Sequence, residues 1–359
     1  MQRDEHRSTD AHANDSIGVA ILGSGGAARS HAIALADCPG ARLVACWSRR
    51  RDAAQAFAAD FACRADTDLD ALLGDPTIAA VIVATEPARH DLAIPVARSG
   101  RHVLIEKPLA SSLPQAAAIV NACHDAKVTA SVVSQRRFEA AFERVRGYLR
   151  DDVIGAPVFV DYTLLASRTP EYFASGNGWR RGPEGGVTQN LLIHTVDRLL
   201  CLLGPVEHVQ ATLVPTPGPG SPDRRAAIVL AFAQGTHAVV RGSTEFETTW
   251  GDRLTITGHR GALILENGDV RLLSNPLGLE TRVTRARRLA LDVLLRVQRA
   301  RAERPLVRQL GDFVTAIRTL GPPAVTLEDG LAALRVVLAV HESHATGRTI
   351  RLSPPLPPA

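Results

Sequence analysis

The run Gly18-Val19-Ala20-Ile21-Leu22 passes directly into Gly23-Ser24-Gly25-Gly26-Ala27-Ala28 and then into a helical pattern over 29–36. No other stretch limits so tightly the folds open to this chain. An apolar strand, a glycine turn and a helix, in that order, open a parallel βαβ sheet whose first turn cradles a dinucleotide. Gly23 permits the tight turn, Gly25 lets a pyrophosphate approach the backbone, and the small Ala28 lets the helix pack close on the sheet. The helix N-terminus meets the phosphate charge with unpaired amides. Gly23, Ser24, Gly25, Gly26, Ala27 and Ala28 are therefore expected to bind a dinucleotide cofactor; the alternative is a purely structural glycine turn.

The alternation continues to about residue 135. Short apolar runs at 17–22, 42–47, 80–84, 102–105 and 129–133 are separated by longer helical patterns, as in a parallel sheet. After Ile154-Gly155-Ala156-Pro157 the strands lengthen and alternate, at 158–165, 206–214, 226–233, 237–246, 252–257 and 261–265, as antiparallel strands do. Helices are expected at 188–203 and 326–345, with a Pro/Gly-rich loop at 215–222. The predicted class is an α/β N-terminal Rossmann domain plus an α+β C-terminal domain with a large, mostly antiparallel sheet. Its expected organisation is a disordered leader at 1–16, an NAD(P)-binding domain at 17–135, a substrate and oligomerisation domain at 136–352, and a proline-rich tail at 353–359. An arginine-studded helix is expected at 285–304, either a solvated face or a site for an acidic partner.

With 359 residues the chain exceeds what one core usually serves, which is why two domains are expected. The net charge of +4 comes from 41 basic and 37 acidic residues interspersed, too mild an excess to predict nucleic-acid or membrane binding. No stretch reads as a signal peptide or a membrane span. Five cysteines without CxxC pairs predict reduced thiols in a cytoplasmic protein, and no metal site is expected.

Nearly all the positive charge is arginine, because the chain has only two lysines, Lys107 and Lys127. Lys107 follows an apolar run in Val103-Leu104-Ile105-Glu106-Lys107-Pro108, at the carboxyl edge of the sheet where ligands of open α/β folds bind. Lysine, unlike arginine, changes its pKa on burial and can relay a proton. Pro108 would fix the turn that aims it, through a cis bond. A second loop at that edge, from Thr85 to His90, follows the run at 80–84. At the end of the second strand Ser48, Arg49 and Arg50 stand where an acidic residue would hold a ribose diol. The absence of that carboxylate favours NADP(H) over NAD(H), with the phosphate held by Ser48 and Arg49 or Arg50.

The other polar cluster is Gly185-Gly186-Val187-Thr188-Gln189-Asn190-Leu191-Leu192-Ile193-His194-Thr195-Val196-Asp197. On a helix Asn190 and His194 share a face, and in so apolar a run they must find partners or line a cleft.

These blocks together resemble the Gfo/Idh/MocA oxidoreductases. The likeness runs from about Ile17 to Leu352 through the glycine turn, the loop ending in His90, Glu106-Lys107-Pro108, Arg137-Phe138, Ile154-Gly155, Trp179-Arg180, the block from Gly185 to Asp197, Thr326-Leu327-Glu328-Asp329-Gly330 and Gly347-Arg348-Thr349. The resemblance implies hydride exchange between a nicotinamide, NADP(H) or NAD(H), and a secondary alcohol or ketone of a sugar, sugar nucleotide or cyclitol. It implies that Lys107 and His194 are catalytic, that Asn190 helps hold the reacting hydroxyl, and that Thr85, His90, Glu106 and Lys107 border the cofactor. Trp179, Arg180 and Arg137 would meet the substrate, the two arginines either contacting an anionic one or forming surface ion pairs. Asn190 departs from the aspartate found in many members, and Glu86 stands where proline is commoner. A homodimer or homotetramer built on the second sheet is implied as well. Two other functions fit the fold: a catalytically silent, cofactor-sensing regulator, and a reductase of a non-sugar cyclic substrate, against which the 4% aromatic content offers little stacking surface.

Overall fold

The structure is a computed structural model that describes residues 16–218, 220–248, 251–273 and 304–353. It divides into two compact units, Met1–Ser134 with Leu306–Leu331, and Gln135–Pro305 with Ala332–Ala359. Nearly all of the leader, most of the arginine-studded segment at 285–304 and most of the tail lie outside the described residues.

The first unit is built on six parallel strands: β1 (Ile17–Leu22), β2 (Ala41–Trp47), β3 (Arg64–Asp66), β4 (Ala80–Val83), β5 (His102–Ile105) and β6 (Ala130–Val132). Their order is β3-β2-β1-β4-β5-β6, so the winding reverses between β1 and β4. That reversal opens a crevice at the strands' carboxyl ends. The intervening helices are α1 (Gly26–Ala36), α2 (Arg51–Phe61), α3 (Leu69–Leu73), α4 (Ala93–Arg98) and α5 (Leu113–Asp125). All four residues of β4 are buried, the pattern of a strand covered on both faces. The five expected strands are present within a residue at each end. β3 was not expected: Arg64-Ala65-Asp66 has one apolar residue, and its position is settled by pairing with β2.

In the second unit α6 (Ala140–Arg150) precedes β7 (Pro157–Leu165), α7 (Pro170–Ala174) and α8 (Ile193–Leu203). There follow β8 (Val206–Pro215), β9 (Asp223–Phe232), β10 (His237–Ser243), β11 (Gly251–Gly258), β12 (Gly261–Glu266), β13 (Asp269–Leu273) and, near the end, β14 (Ile350–Arg351). Their order is β13-β12-β11-β7-β10-β9-β8-β14, antiparallel throughout except for β7 against β10. Alternation divides the sheet's faces. Val160, Tyr162, Leu164, Leu230, Val240 and Ile256 point into a core with Val145, Val196, Leu199 and Val337, while Phe159, Val229 and Val239 are exposed.

Two helices complete the chain, α9 (Pro305–Thr319) and α10 (Leu327–Thr346). The segment Leu306–Leu331 groups with the first unit, although the sequence reading assigned it to 136–352. Its attachments explain this. Leu310, Phe313 and Val314 join the core that includes Ile21, Ile82 and Leu104. Gln309 covers the edge strand β6, donating from Nε2 to Val132 O at 2.8 Å and accepting from Ser134 N at 3.0 Å, which satisfies backbone groups an edge leaves open. Thr326 and Asp329 cap α10 reciprocally: the Thr326 N–H donates to Asp329 Oδ2 at 3.0 Å, and the Asp329 N–H to Thr326 Oγ1 at 3.3 Å. A Cβ on Gly330 would lie 2.8 Å from Val132 Cγ1, so this block of the resemblance is a packing contact on β6.

Candidate active site

In the first unit the turn after β1 lies where the sheet reverses. Gly23 adopts φ +119°, and a Cβ there would stand 2.6 Å from Ala84 O, so conformation and space both demand glycine. Its N–H donates to Trp47 O at 2.8 Å, fastening the turn to the end of β2. At Gly25 and Gly26 a Cβ would meet nothing within 4 Å. Gly25 caps α1, and among the described residues no side chain takes the first amides of that helix. Open space over unfilled helix-terminal amides fits a dinucleotide's pyrophosphate.

Beside it, both arginines expected to face the ribose are paired. Arg49 Nη2 donates to Glu86 Oε1 at 3.1 Å, which gives Glu86 a partner at the end of β2. Arg50 pairs with Asp52 through both nitrogens of its fork, Nε at 3.2 Å and Nη2 closer still. The Arg50 N–H lies 3.4 Å from Ser48 Oγ.

Lys107 sits half-buried on the turn after β5, and the Lys107–Pro108 peptide is cis, as expected. The turn is held by a partner absent from the sequence reading. His31, fully buried on α1, places Nε2 2.9 Å from Glu106 Oε1, and Glu106 Oε2 accepts from the Lys107 N–H at 3.1 Å. Burial pushes the Glu106 carboxyl up, but the hydrogen bond and charge of His31 and the charge of Lys107 outweigh it and hold the group below its ordinary range. Glu106 is thus a carboxylate that orients the lysine's backbone. The spacing of His31 within the helix after the glycine turn was the available signal.

His90, expected to border the cofactor, packs inside the first unit. Its ring is wholly enclosed, with Nδ1 2.9 Å from Pro108 O and Nε2 3.2 Å from Thr85 O. Burial lowers its pKa, and the ring, set between these carbonyls, ties the loop after β4 to the turn bearing Lys107. Thr85 Oγ1 is buried with no hydrogen-bond partner among the described residues.

In the second unit the helix expected at 188–203 begins as a π-helical turn, Val187–Leu192, and becomes α-helical at Ile193. π-turns recur at functional sites because the extra residue per turn re-aims side chains. A strand pins this one. Asp223 accepts from the Thr188 N–H at 3.0 Å and from Thr188 Oγ1 at 2.9 Å, and His341 Nε2 lies 2.9 Å from that hydroxyl. The glycine pair exists for closeness: a Cβ on Gly186 would collide with Asp223 Oδ1, and one on Gly185 with Arg180 O. Asn190 and His194 are both enclosed, 6% and 9% exposed. Asn190 Nδ2 donates to the hydroxyl of Tyr172 at 2.6 Å. Tyr172 was missed by sequence reasoning; its only signal was a tyrosine near the Pro170 that opens α7. Arg180 stacks on Tyr172 at 5.0 Å and on Trp179 at 4.5 Å, so Asn190, Trp179 and Arg180 do converge.

Arg137 does not join them. Its fork grips Asp197 through Nε at 2.9 Å and Nη2 at 2.6 Å, both residues buried, so of the two expected roles it takes ion pairing, here internal. A second buried cation, Arg198, is 1% exposed and donates to Asp252 Oδ2 at 3.0 Å; Arg136 donates to the same oxygen at 2.8 Å, and the Tyr162 hydroxyl also bonds to it. Burial pushes Tyr162 up to about 12.

A glycine turn at the reversal of a parallel six-stranded sheet, followed by a second unit on a mostly antiparallel eight-stranded sheet, is the build of a nicotinamide-dependent oxidoreductase. The chain belongs to the Gfo/Idh/MocA family: the model for the oxidoreductase family's NAD-binding Rossmann fold matches residues 17–134, and that for its C-terminal alpha/beta domain matches 146–352. The chain is 27% identical to inositol 2-dehydrogenase of Rhizobium meliloti (strain 1021), covering 93% of this chain and 98% of that protein. It is 26% identical to 1,5-anhydro-D-fructose reductase of Ensifer adhaerens, covering 92% and 97%. Its fold is also that of the WlbA dehydrogenase from Bordetella pertussis, solved with NADH and UDP-GlcNAcA, at a TM-score of 0.81, 23% identity and coverage of 95% and 99%. Among the described residues no helix is long and apolar enough to cross a membrane.

Proposed function

We propose that the protein exchanges a hydride between a nicotinamide nucleotide and a secondary alcohol or ketone carbon of a sugar, cyclitol or sugar nucleotide. The observation that carries this reading is the open, uncapped glycine cradle at the β1/β4 reversal, with the Lys107 turn at the same sheet edge. The two curated relatives, an inositol dehydrogenase and an anhydrofructose reductase, support the substrate class. Gly23 to Ala28 would hold the cofactor, which supplies or accepts the hydride. Lys107, whose backbone is fixed by Glu106 and His31, is the proposed proton donor or acceptor of the first unit, and His194 and Asn190 are the proposed substrate-holding residues of the second. Asparagine cannot ionise the histidine as an aspartate would, so proton transfer rests on Lys107 and His194.

For the cofactor, the reading favours NADP(H). The Arg49–Glu86 pair is surface-exposed, and such pairs hold weakly, so a dianionic 2′-phosphate displaces Glu86 from Arg49 at little cost and takes a hydrogen bond from Ser48. Calorimetric titration is expected to show NADPH binding more tightly than NADH, with Arg49→Gln weakening NADPH far more. Equal losses for both nucleotides would remove the preference, and binding of neither by folded protein would remove the oxidoreductase reading.

A homo-oligomer through the open sheet face is also proposed. Phe159, Val239 and Val229 stand on three adjacent central strands and are 57%, 40% and 42% exposed. Sedimentation is expected to give a dimer or tetramer that Val239→Asp weakens; a monomeric wild type would refute it. The free thiols at Cys38, Cys46, Cys63, Cys123 and Cys201 suit a reducing, cytoplasmic compartment.

A further inference from the structure

We propose that the second unit carries a subsite for an anionic group of the substrate, formed by Arg168, Arg180 and Arg224 around the Tyr172–Phe173 ring pair. It deepens the function proposed above and rests on the reading that Asn190 faces the substrate. Tyr172 and Phe173 meet edge to face with centroids 5.2 Å apart. The guanidinium carbons of Arg168 and Arg180 lie 4.9 and 5.0 Å from the Tyr172 centroid, and that of Arg224 lies 3.7 Å from Phe173. The hydroxyl of the same tyrosine accepts from Asn190, which joins the cluster to the candidate substrate-holding residues.

Charge accounting sets these arginines apart. Arg136, Arg137 and Arg198 in the same unit each have a carboxylate within 3.0 Å. Arg168, Arg180 and Arg224 have none among the described residues. Their protein hydrogen bonds are neutral, from Arg168 Nη1 to Ser167 O at 2.8 Å and from Arg180 Nη1 to Ser175 Oγ at 3.1 Å. All three Nε groups are shielded from solvent without a partner. Ring faces attract each cation only weakly at exposed sites, which is little against mutual repulsion of three charges and unpaired donors. An oxyanion answers both needs, and a stacked guanidinium, with its plane already set, binds carboxylate or phosphate bidentately. The substrate class is therefore a sugar-like molecule bearing a carboxylate or a phosphoryl group.

The test uses the full-length protein saturated with reduced nucleotide at constant ionic strength. Calorimetry compares glucuronate, glucose 6-phosphate and UDP-glucose with neutral glucose and myo-inositol. At least one anionic probe is expected to bind about tenfold more tightly than the neutral ones, the scale of one charge-assisted bond. Arg168→Gln and Arg180→Gln are each expected to abolish that preference without changing nucleotide affinity, and Arg168→Lys to retain part of it. Glucuronate binding without UDP-glucose binding assigns the site to carboxylates, and the converse to phosphoryl groups. If anionic and neutral probes bind alike, or not at all, or if both glutamine variants keep the preference, the subsite is overturned. Failure of nucleotide binding, measured first, would instead strike the oxidoreductase reading itself.

Discussion

Lys107→Ala is expected to lower turnover by about 10²–10⁴-fold, the usual contribution of a positioned proton donor or acceptor, while leaving NADPH and NADH affinity nearly intact. The geometry motivates the split. The lysine's backbone is fixed by Glu106, itself held by His31, whereas the pyrophosphate cradle belongs to Gly23, Gly25 and Gly26 on a different turn. Steady-state kinetics on an active substrate, with calorimetry on the same preparation, checks both halves. Wild-type turnover in the variant would refute the role of Lys107, and lost nucleotide binding would mean that it serves the cofactor instead. His31→Ala should act through the same turn, lowering kcat more than it raises KM for nucleotide.

Asp252→Asn is expected to be the most destabilising single charge removal in the second unit. Its carboxylate answers two cations, the almost inaccessible Arg198 and Arg136, and it also bonds to the hydroxyl of Tyr162. Removing one partner of a buried pair leaves the other uncompensated, a loss of about 3–5 kcal/mol, readable as a lower denaturant midpoint. The sign of the pH effect follows from the carboxyl's state. Burial raises the pKa of Asp252, but the charges of Arg198 and Arg136 and the hydrogen bond from Tyr162 outweigh it, so the folded value lies below the ordinary one. The stabilisation is therefore complete above the ordinary carboxylate pKa of about 4 and is lost as pH falls through the depressed value. The acid limb of the wild-type stability curve should be steeper than that of Asp252→Asn. Parallel limbs would show that the pair contributes nothing.

Much of the first unit was legible because its signals are local. A glycine that needs φ +119° announces itself within three residues, and an apolar run of five reads as a buried strand wherever it lies. Strands without such a run were not legible: β3 has one apolar residue and β14 spans two residues, so both exist through their neighbours. The site was legible in residue type more than in task. Arg137 and Arg180 looked alike in sequence, yet one grips Asp197 and the other stacks between Trp179 and Tyr172. His90 read as a cofactor neighbour because it ends a loop at the right sheet edge, whereas its enclosure by the carbonyls of Thr85, Pro108 and Leu109 was not legible in the sequence.

By itself the amino-acid order determined the alternation of strand and helix, the nucleotide cradle, the lone lysine after β5 and the membership these imply, since each depends on periodicity or backbone conformation within a short window. Only the tertiary structure decided which polar groups neutralise one another. It brought Gln309 back to seal the edge of β6, set Asp223 against the π-turn at Thr188, and left three arginines about two rings without a carboxylate among the described residues. Those outcomes join residues far apart in the chain, and charge pairing across such separations depends on where the sheets carry each strand end, which no local pattern encodes.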